Sequence, residues 1–351
     1  MHTALTLRYG FAAAALALAS PPAEPRAPSL PASWKPGVKW QIVIHAPVDV
    51  NQTIIPSDAR VWDIDYFHAL VHPDIIPTLK SPTPGDDNVV LCYINVGAIE
   101  QFEADYADFP GDALGNGYDG YPEWWIDVRR PDVVEFMKRR IRKAAEIGCD
   151  GVDADNIDGY DWEVEGVDKT GWYLTREDLI SYAKTLAATA HGLTTTRGLP
   201  LMFGQKNANH LAHDLVDTVD FAVLEDCQGF NWRHPGVHEP FCHDFQAFVT
   251  GENRTDGRPL PVFEIEYPGS VGGGSEELSG ADWWYYCERE KRLVGNVGFS
   301  QIIKHESAQL DGWGQYCGEN ERLGRVRTAT LPIGQNASLG GQRTVRMDLG
   351  L

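Results

Sequence analysis

Cys149-Asp150-Gly151-Val152-Asp153-Ala154-Asp155-Asn156-Ile157-Asp158-Gly159-Tyr160 follows directly on a segment of helical period. That segment, residues 133–147, sets Val133, Val134, Phe136, Met137, Ile141, Ala144 and Ala145 on one side and Lys and Arg on the other, with Gly148 as the expected C-cap. A short apolar run behind such a helix reads as a strand. In a strand alternate side chains share a face, so Asp153 and Asp155 are expected to point the same way. Helix, short loop and acid-tipped strand together make one βα unit of a parallel sheet.

The same alternation extends in both directions. Residues 40–45, 61–64 and 89–94 are expected as the first three strands, 151–155 as the fourth, and 201–203, 221–224, 262–265 and 298–303 as the last four. Residues 179–191 form a second amphipathic helix. The fold class this predicts is α/β, a single-domain (β/α)8 TIM barrel, whose usual length of about 250 residues suits the part of the chain from residue 37 to 317. The insertion at 101–127, rich in Gly, Asp and aromatics, is expected to overhang the face where the strands end.

The ends of the chain read differently. Residues 1–19 carry a short basic start and an apolar run of signal-peptide type, too short to span a bilayer. Residues 20–36 mix Pro, Ala and Ser and are expected as a flexible leader, with the folded part starting near Trp40. Residues 318–351 are expected as a loosely attached tail. The chain is thus expected to be secreted and extracellular, with no membrane partner.

Six cysteines in an exported chain allow fifteen pairings. Cys227 and Cys242 lie close together, Cys287 and Cys317 flank the last barrel unit, and Cys92 and Cys149 fall on neighbouring strands, so these three bridges are expected. None has the spacing of a zinc or redox pair. Asn51-Gln52-Thr53, Asn253-Arg254-Thr255 and Asn336-Ala337-Ser338 are glycosylation acceptors.

A formal net charge of -20 excludes a general nucleic-acid binder, which needs an excess of Lys and Arg. Two explanations stay open: acidity for solubility, or a cationic polymer as substrate. The histidines are scattered without H-E-x-x-H or a comparable cluster, although His210 and His213 are close, so no metal and no cofactor are implied. Loop carboxylates leave room for calcium.

Chemistry concentrates at the strand ends. Asp153, Asp155 and Asp158 stand within six residues, Asp158-Gly159 doubling as a turn. Glu225 and Asp226 end the sixth strand. Glycoside hydrolysis needs two carboxyl groups, one protonating the leaving oxygen and one acting as nucleophile or base, and Asp155 with Glu225 is the natural pair across a barrel mouth. Asp63 and Asp65 follow strand two, Glu100 strand three, Glu266 and Tyr267 strand seven. Lys206 ends strand five, either solvated or placed to hold the fourth-strand carboxylates ionised. Trp62, Tyr93, Tyr160, Phe230 and Trp232 either stack on sugar faces or pack the rim.

Val61-Trp62-Asp63-Ile64-Asp65, Cys92-Tyr93-Ile94-Asn95-Val96-Gly97, the 149–160 stretch, Gln205-Lys206-Asn207, Glu225-Asp226-Cys227 and Glu264-Ile265-Glu266-Tyr267 together resemble the endo-α-1,4-polygalactosaminidases, glycoside hydrolase family 114. The resemblance runs from about Trp40 to His305, and the fourth-strand motif is its most specific part. It implies a (β/α)8 barrel that cuts α-1,4-linked galactosamine polymers from within. An Asp after strand four and a Glu after strand six would do the chemistry, here Asp155 as nucleophile and Glu225 as acid/base in a retaining reaction. Asp153 is the less favoured choice for the first role. Two positions depart from the family pattern: Asp226 stands where Gln is expected, and Leu224 where Asn is common. The implied partner is a cationic galactosamine-containing polysaccharide, the protein itself is expected as a monomer, and that substrate gives the acidity a cause. Two rivals stay open: a glycosidase of another α-linked microbial polysaccharide, and a non-catalytic glycan-binding barrel. A peptide-cleaving acid hydrolase is remote.

Overall fold

The computed structural model describes residues 29–83, 86–118, 121–164, 166–228, 240–269, 271, 278, 280–288, 295–305, 309–318 and 325–332. The expected signal peptide, Phe230, Trp232 and Asn336 lie outside them.

All eight expected strands form: β1 Trp40–Val43, β2 Val61–Asp65, β3 Val89–Asn95, β4 Gly151–Asp155, β5 Met202–Lys206, β6 Phe221–Glu225, β7 Val262–Glu266 and β8 Ser300–Ile303. They pair side by side in parallel in chain order, and β9 Trp313–Gln315 and β10 Arg325–Arg327 extend the sheet antiparallel. The result is a curled, ten-stranded, mostly parallel sheet with helices on its outer side.

Period-two alternation sorts the strand residues into two cores. One face is lined by Trp40, Ile42, Val61, Val89, Leu91, Met202, Phe221, Val223, Phe263, Ile265 and Ile302, a cluster that includes no helix residue. The other face carries Trp62, Ile64, Val90, Cys92, Ile94, Val152, Ala154, Phe203 and Leu224, packed against helices α3 Pro131–Ile147 and α4 Arg176–His191. The first cluster is therefore the inside of the curl.

Across the seam between β1 and β8, among the described residues, side chains replace a ladder. The Lys304 ammonium donates to Gln41 Oε1 at 2.8 Å and to the carbonyls of Ile42, Asp311 and Trp313 at 2.7, 2.9 and 2.8 Å. The Tyr316 hydroxyl donates to the Trp40 carbonyl at 2.7 Å. A fully buried lysine is tolerated because four oxygens surround it.

Three sequence expectations are corrected here. The leader is not loose along its whole described part: Trp34 packs its ring 5.8 Å from Phe221 and 5.9 Å from Phe263, plugging the N-terminal end of the curl. The tail is not loosely attached throughout, because β10 pairs with β9 and Thr330 bridges to Val48. Not every cation of α3 faces water: Arg140 is buried on its apolar side.

The three expected disulfides, Cys92–Cys149, Cys227–Cys242 and Cys287–Cys317, are all present. Gly148 ends α3 with φ 103°, a left-handed cap that a Cβ would strain. The insertion folds into an antiparallel sheet of Ala98–Glu100, Glu123–Ile126 and Leu114–Gly117. Asn51 and Asn253 are exposed, as glycan acceptors must be. No helix among the described residues is long and apolar enough to cross a membrane.

Candidate active site

Asp155, Lys206 and Glu225 are the last residues of β4, β5 and β6. Each shares its strand parity with the inner cluster, so all three face into the curl. The residue after each has a positive φ: Asn156 at 60°, Asn207 at 43° and Asp226 at 53°. Asn and Asp tolerate that left-handed region better than most residues. The backbone thus turns away sharply just after each charged side chain, leaving the charge at the rim. Asn207 Oδ1 also accepts the Glu225 backbone N–H at 2.8 Å. At Gly97 a Cβ would fall 1.6 Å from the Asn156 carbonyl, so the loops after β3 and β4 touch only because this residue is glycine.

One ammonium joins the two carboxylates. Lys206 Nζ lies 3.3 Å from Asp155 Oδ1 and 3.0 Å from Glu225 Oε2. Burial works against the Lys206 charge, but Asp155, Glu225 and Asp153 outweigh it and hold the ammonium well above the usual lysine range. The Tyr93 hydroxyl donates to Asp155 Oδ2 at 2.6 Å, and the Tyr267 hydroxyl donates to Glu225 Oε1. Each carboxylate is held at both oxygens, while the side chains of Asp155 and Glu225 stay 18% and 28% exposed. They are the acids of this cluster that a ligand can reach.

Beneath them lie Asp153 and Asp63, both fully buried. Burial pushes the Asp153 carboxyl up to about 7, with Lys206 acting against the rise and Asp155 adding to it. Burial, then the neighbouring Asp153, pushes Asp63 well above the usual carboxylate range. Each lies close enough to feel the other's charge, and burial side by side favours keeping a proton on one of them. Asp153 has no exposed surface, so this structure corrects its place as an alternative nucleophile.

Several expected site residues serve elsewhere. Asp65 caps helix α1, Tyr66–Val71, accepting the His68 N–H at 2.7 Å. Glu100 sits in the inserted sheet, its N–H donating to Glu103 at 3.2 Å, and Glu103 pairs with the buried Arg140. Glu266 has the parity of Val262 in the helix-side core and points out of the curl. There it accepts the Gln228 N–H at 3.2 Å, and burial, then Glu264, holds its carboxyl well above the usual range. Period two forbids Glu266 and Tyr267 from both entering the mouth, and Tyr267 is the one that does. Asp226 turns on its left-handed backbone toward Glu266 and Tyr267. Trp62 is wholly buried under the helices, so the rim-stacking expectation for it is corrected. Tyr160 packs on the helix-side core. Asp158 stays beside the site: burial, then the charge of Asp155, pushes it up to about 6, against a hydrogen bond from Trp162.

The insertion supplies residues that sequence reasoning had not named. Burial, then the charges of Asp158 and Asp155, pushes the Tyr118 hydroxyl well above the usual tyrosine range. Tyr118 lies 5.0 Å from Trp125, 4.9 Å from Trp162 and 5.7 Å from Tyr121. The aromatic content of residues 101–127 signalled such a roof, but nothing in the sequence told which rings face the mouth. Among the described residues, one group could hold a metal by type and distance: Cys227, Cys242, Glu264 and Glu266. Both its sulfurs are tied up in a disulfide and cannot act as thiolate ligands.

Ega3 from Aspergillus fumigatus, solved in complex with galactosamine, is 28% identical, with a TM-score of 0.64 over 82% of this chain and 98% of that one. The glycoside hydrolase domain of PelA from Pseudomonas aeruginosa is 16% identical, with a TM-score of 0.51 over 81% of this chain and 99% of that one, a likeness of fold. Among curated proteins none matches. The profile of glycoside-hydrolase family GH114 matches residues 23–322, most of the chain and all of β1 to β9, and the chain belongs to that family.

Proposed function

We propose that this chain is a secreted, endo-acting hydrolase of α-1,4-linked galactosamine polymers. In this reading the curled sheet works as a closed (β/α)8 barrel, residues 1–19 are a cleaved signal, and the enzyme acts as a monomer. The observation that carries it is the Asp155–Lys206–Glu225 bridge at three adjacent strand ends. Family membership and the galactosamine bound to Ega3 support the substrate class.

Asp155 attacks the anomeric carbon while Glu225 gives its proton to the departing glycosidic oxygen. Water then loses a proton to Glu225, bonds to the anomeric carbon and releases Asp155. Tyr93 and Lys206 hold the Asp155 oxygens in place, and Tyr267 does the same for Glu225. A retaining reaction needs the two carboxyl groups about 5 to 5.5 Å apart, and the shared ammonium keeps Asp155 Oδ1 and Glu225 Oε2 within reach of that spacing.

Asp155→Asn and Glu225→Gln are each expected to lower kcat on polygalactosamine by about a thousandfold or more, read by mass analysis of released oligosaccharides. Wild-type rates in both variants would refute the assignment. Proton NMR of the first product is expected to show the α anomer; β would replace retention by inversion.

A further inference from the structure

A cavity of about 180 Å³ opens beside the aromatic roof, lined by Asn116, Gly117, Trp125, Trp162 and Lys169. Its chemistry is the opposite of the catalytic centre. Where Asp155, Glu225 and Asp158 are acidic, this cavity offers an ammonium and an amide. Among the described residues, Lys169 makes no ion pair and the Asn116 side chain no hydrogen bond, so both are available to a ligand. The wall is built rather than loose: Asp168 accepts the Thr170 hydroxyl at 2.9 Å and the N–H groups of Gly171 and Tyr173 at 2.5 and 3.2 Å. The Lys169 N–H donates to the Trp162 carbonyl at 2.7 Å. Trp125 is buried, with the Tyr118 ring stacked 5.0 Å from it, so the ring face that the cavity presents is that of the half-buried Trp162.

The cavity is coupled to the reacting carboxylates through one side chain. Trp162 forms its wall and follows Asp158 by four residues on the loop after β4, and the charge of Asp155 acts on Asp158.

We propose that this cavity is a sugar subsite that selects an N-acetylated, uncharged hexosamine unit within the polymer. The inference rests on the functional reading above and deepens it. A sugar ring shows an apolar C–H face, which suits the Trp162 ring. An unpaired ammonium repels the amine of a galactosamine unit and donates to an acetamido carbonyl. An anionic sugar would also suit the lysine, but a chain of net charge -20 repels an anionic polymer. The enzyme would thus cut partly acetylated chains, with an ammonium sugar at the acidic centre and an acetamido sugar in this cavity.

The test compares fully deacetylated and partly N-acetylated α-1,4-galactosamine oligomers as substrates of the wild type, Lys169→Arg and Lys169→Glu. Lys169→Glu is expected to lower kcat/KM on the acetylated oligomers and raise it on the deacetylated ones. The ratio would shift by about tenfold or more, the size of one hydrogen bond to a charged donor. Lys169→Arg is expected to retain the wild-type ratio. Thermal melts of all three proteins separate a folding defect from a change of preference, and Trp162→Phe, which keeps a ring but loses the indole N–H, gives a second reading of the same ratio. An unchanged ratio in Lys169→Glu with wild-type melting overturns the subsite while leaving the hydrolase reading intact. Cleavage of neither oligomer by the wild type overturns both.

Discussion

An ammonium 2% exposed lies within 3.3 Å of Asp155 and Glu225, and the negative charge of the acids around it offsets its burial. Lys206 is the group whose removal separates the electrostatics from the positions of the acids. Lys206→Met is expected to lower kcat by about a hundredfold and stability by about 3 kcal/mol, because Asp155 and Glu225 would then face each other unscreened. Steady-state kinetics and denaturant melts check it; a variant as stable as the wild type would deny the bridge its structural part. Asp153 allows a second prediction. Its carboxyl titrates near 7 in the fold against an ordinary value of 3.8, so the folded chain holds an extra proton between those values. Stability from this group is therefore full at low pH and lost as pH rises through that window. Asp153→Asn keeps the shape and removes the proton, and is expected to flatten the decline of Tm between about pH 4 and 7 in calorimetry. An equally steep decline would mean that another acid carries it. The residue types at these positions were legible in the sequence, and the Asp155–Glu225 pair follows from period two and strand order alone. The layering was not. Whether an inward acid stands at the rim or one level below depends on where each strand ends relative to its neighbours.

At the scale of elements, α3 and the inserted sheet depend on each other. Arg140 pairs with Glu103 at 2.5 Å and Asp105 at 2.6 Å, and reaches the Asn95 carbonyl at 3.4 Å at the end of β3. It also stacks over Phe67 and Phe136. Arg140→Met leaves two acids unpaired, one of them buried, and is expected to cost about 3 to 5 kcal/mol. It is also expected to raise KM more than it lowers kcat, since the aromatic roof rides on the insertion while the acids sit on β4 and β6. Chemical denaturation and oligomer kinetics read the two effects separately. The sequence reading set every cation of α3 on its polar side, although Arg140 stands four residues after Phe136 and four before Ala144, in register with the apolar stripe. The same blindness misplaced Glu100: a residue past a strand end looks like a rim residue until the chain beyond it is seen to fold into a second sheet.

Over the whole molecule, a net charge of -20 surrounds a mouth whose reachable groups are mostly carboxylates. On a cationic polymer kcat/KM is expected to fall severalfold as salt rises from low ionic strength to about 0.5 M, while a neutral short substrate shows little change. Parallel salt curves for the two would remove charge attraction from the account. The architecture itself was strongly legible, because each strand carries its own hydrophobic run and each expected strand formed within a few residues of its reading. What the sequence by itself determined is therefore local: strand after strand, the helix caps, the close cysteine pairs and the acid at each strand end, all set by periodicity and covalent neighbourhood. Only the tertiary structure decided which acids meet Lys206, which are buried beneath it, and which turn outward to Gln228 or down to Arg140. It also decided that Lys304 would bridge the seam and that Lys169 would line a cavity with Trp162. Those choices depend on contacts between residues far apart in the chain, where the stagger of the strands and the path of long loops set the distances.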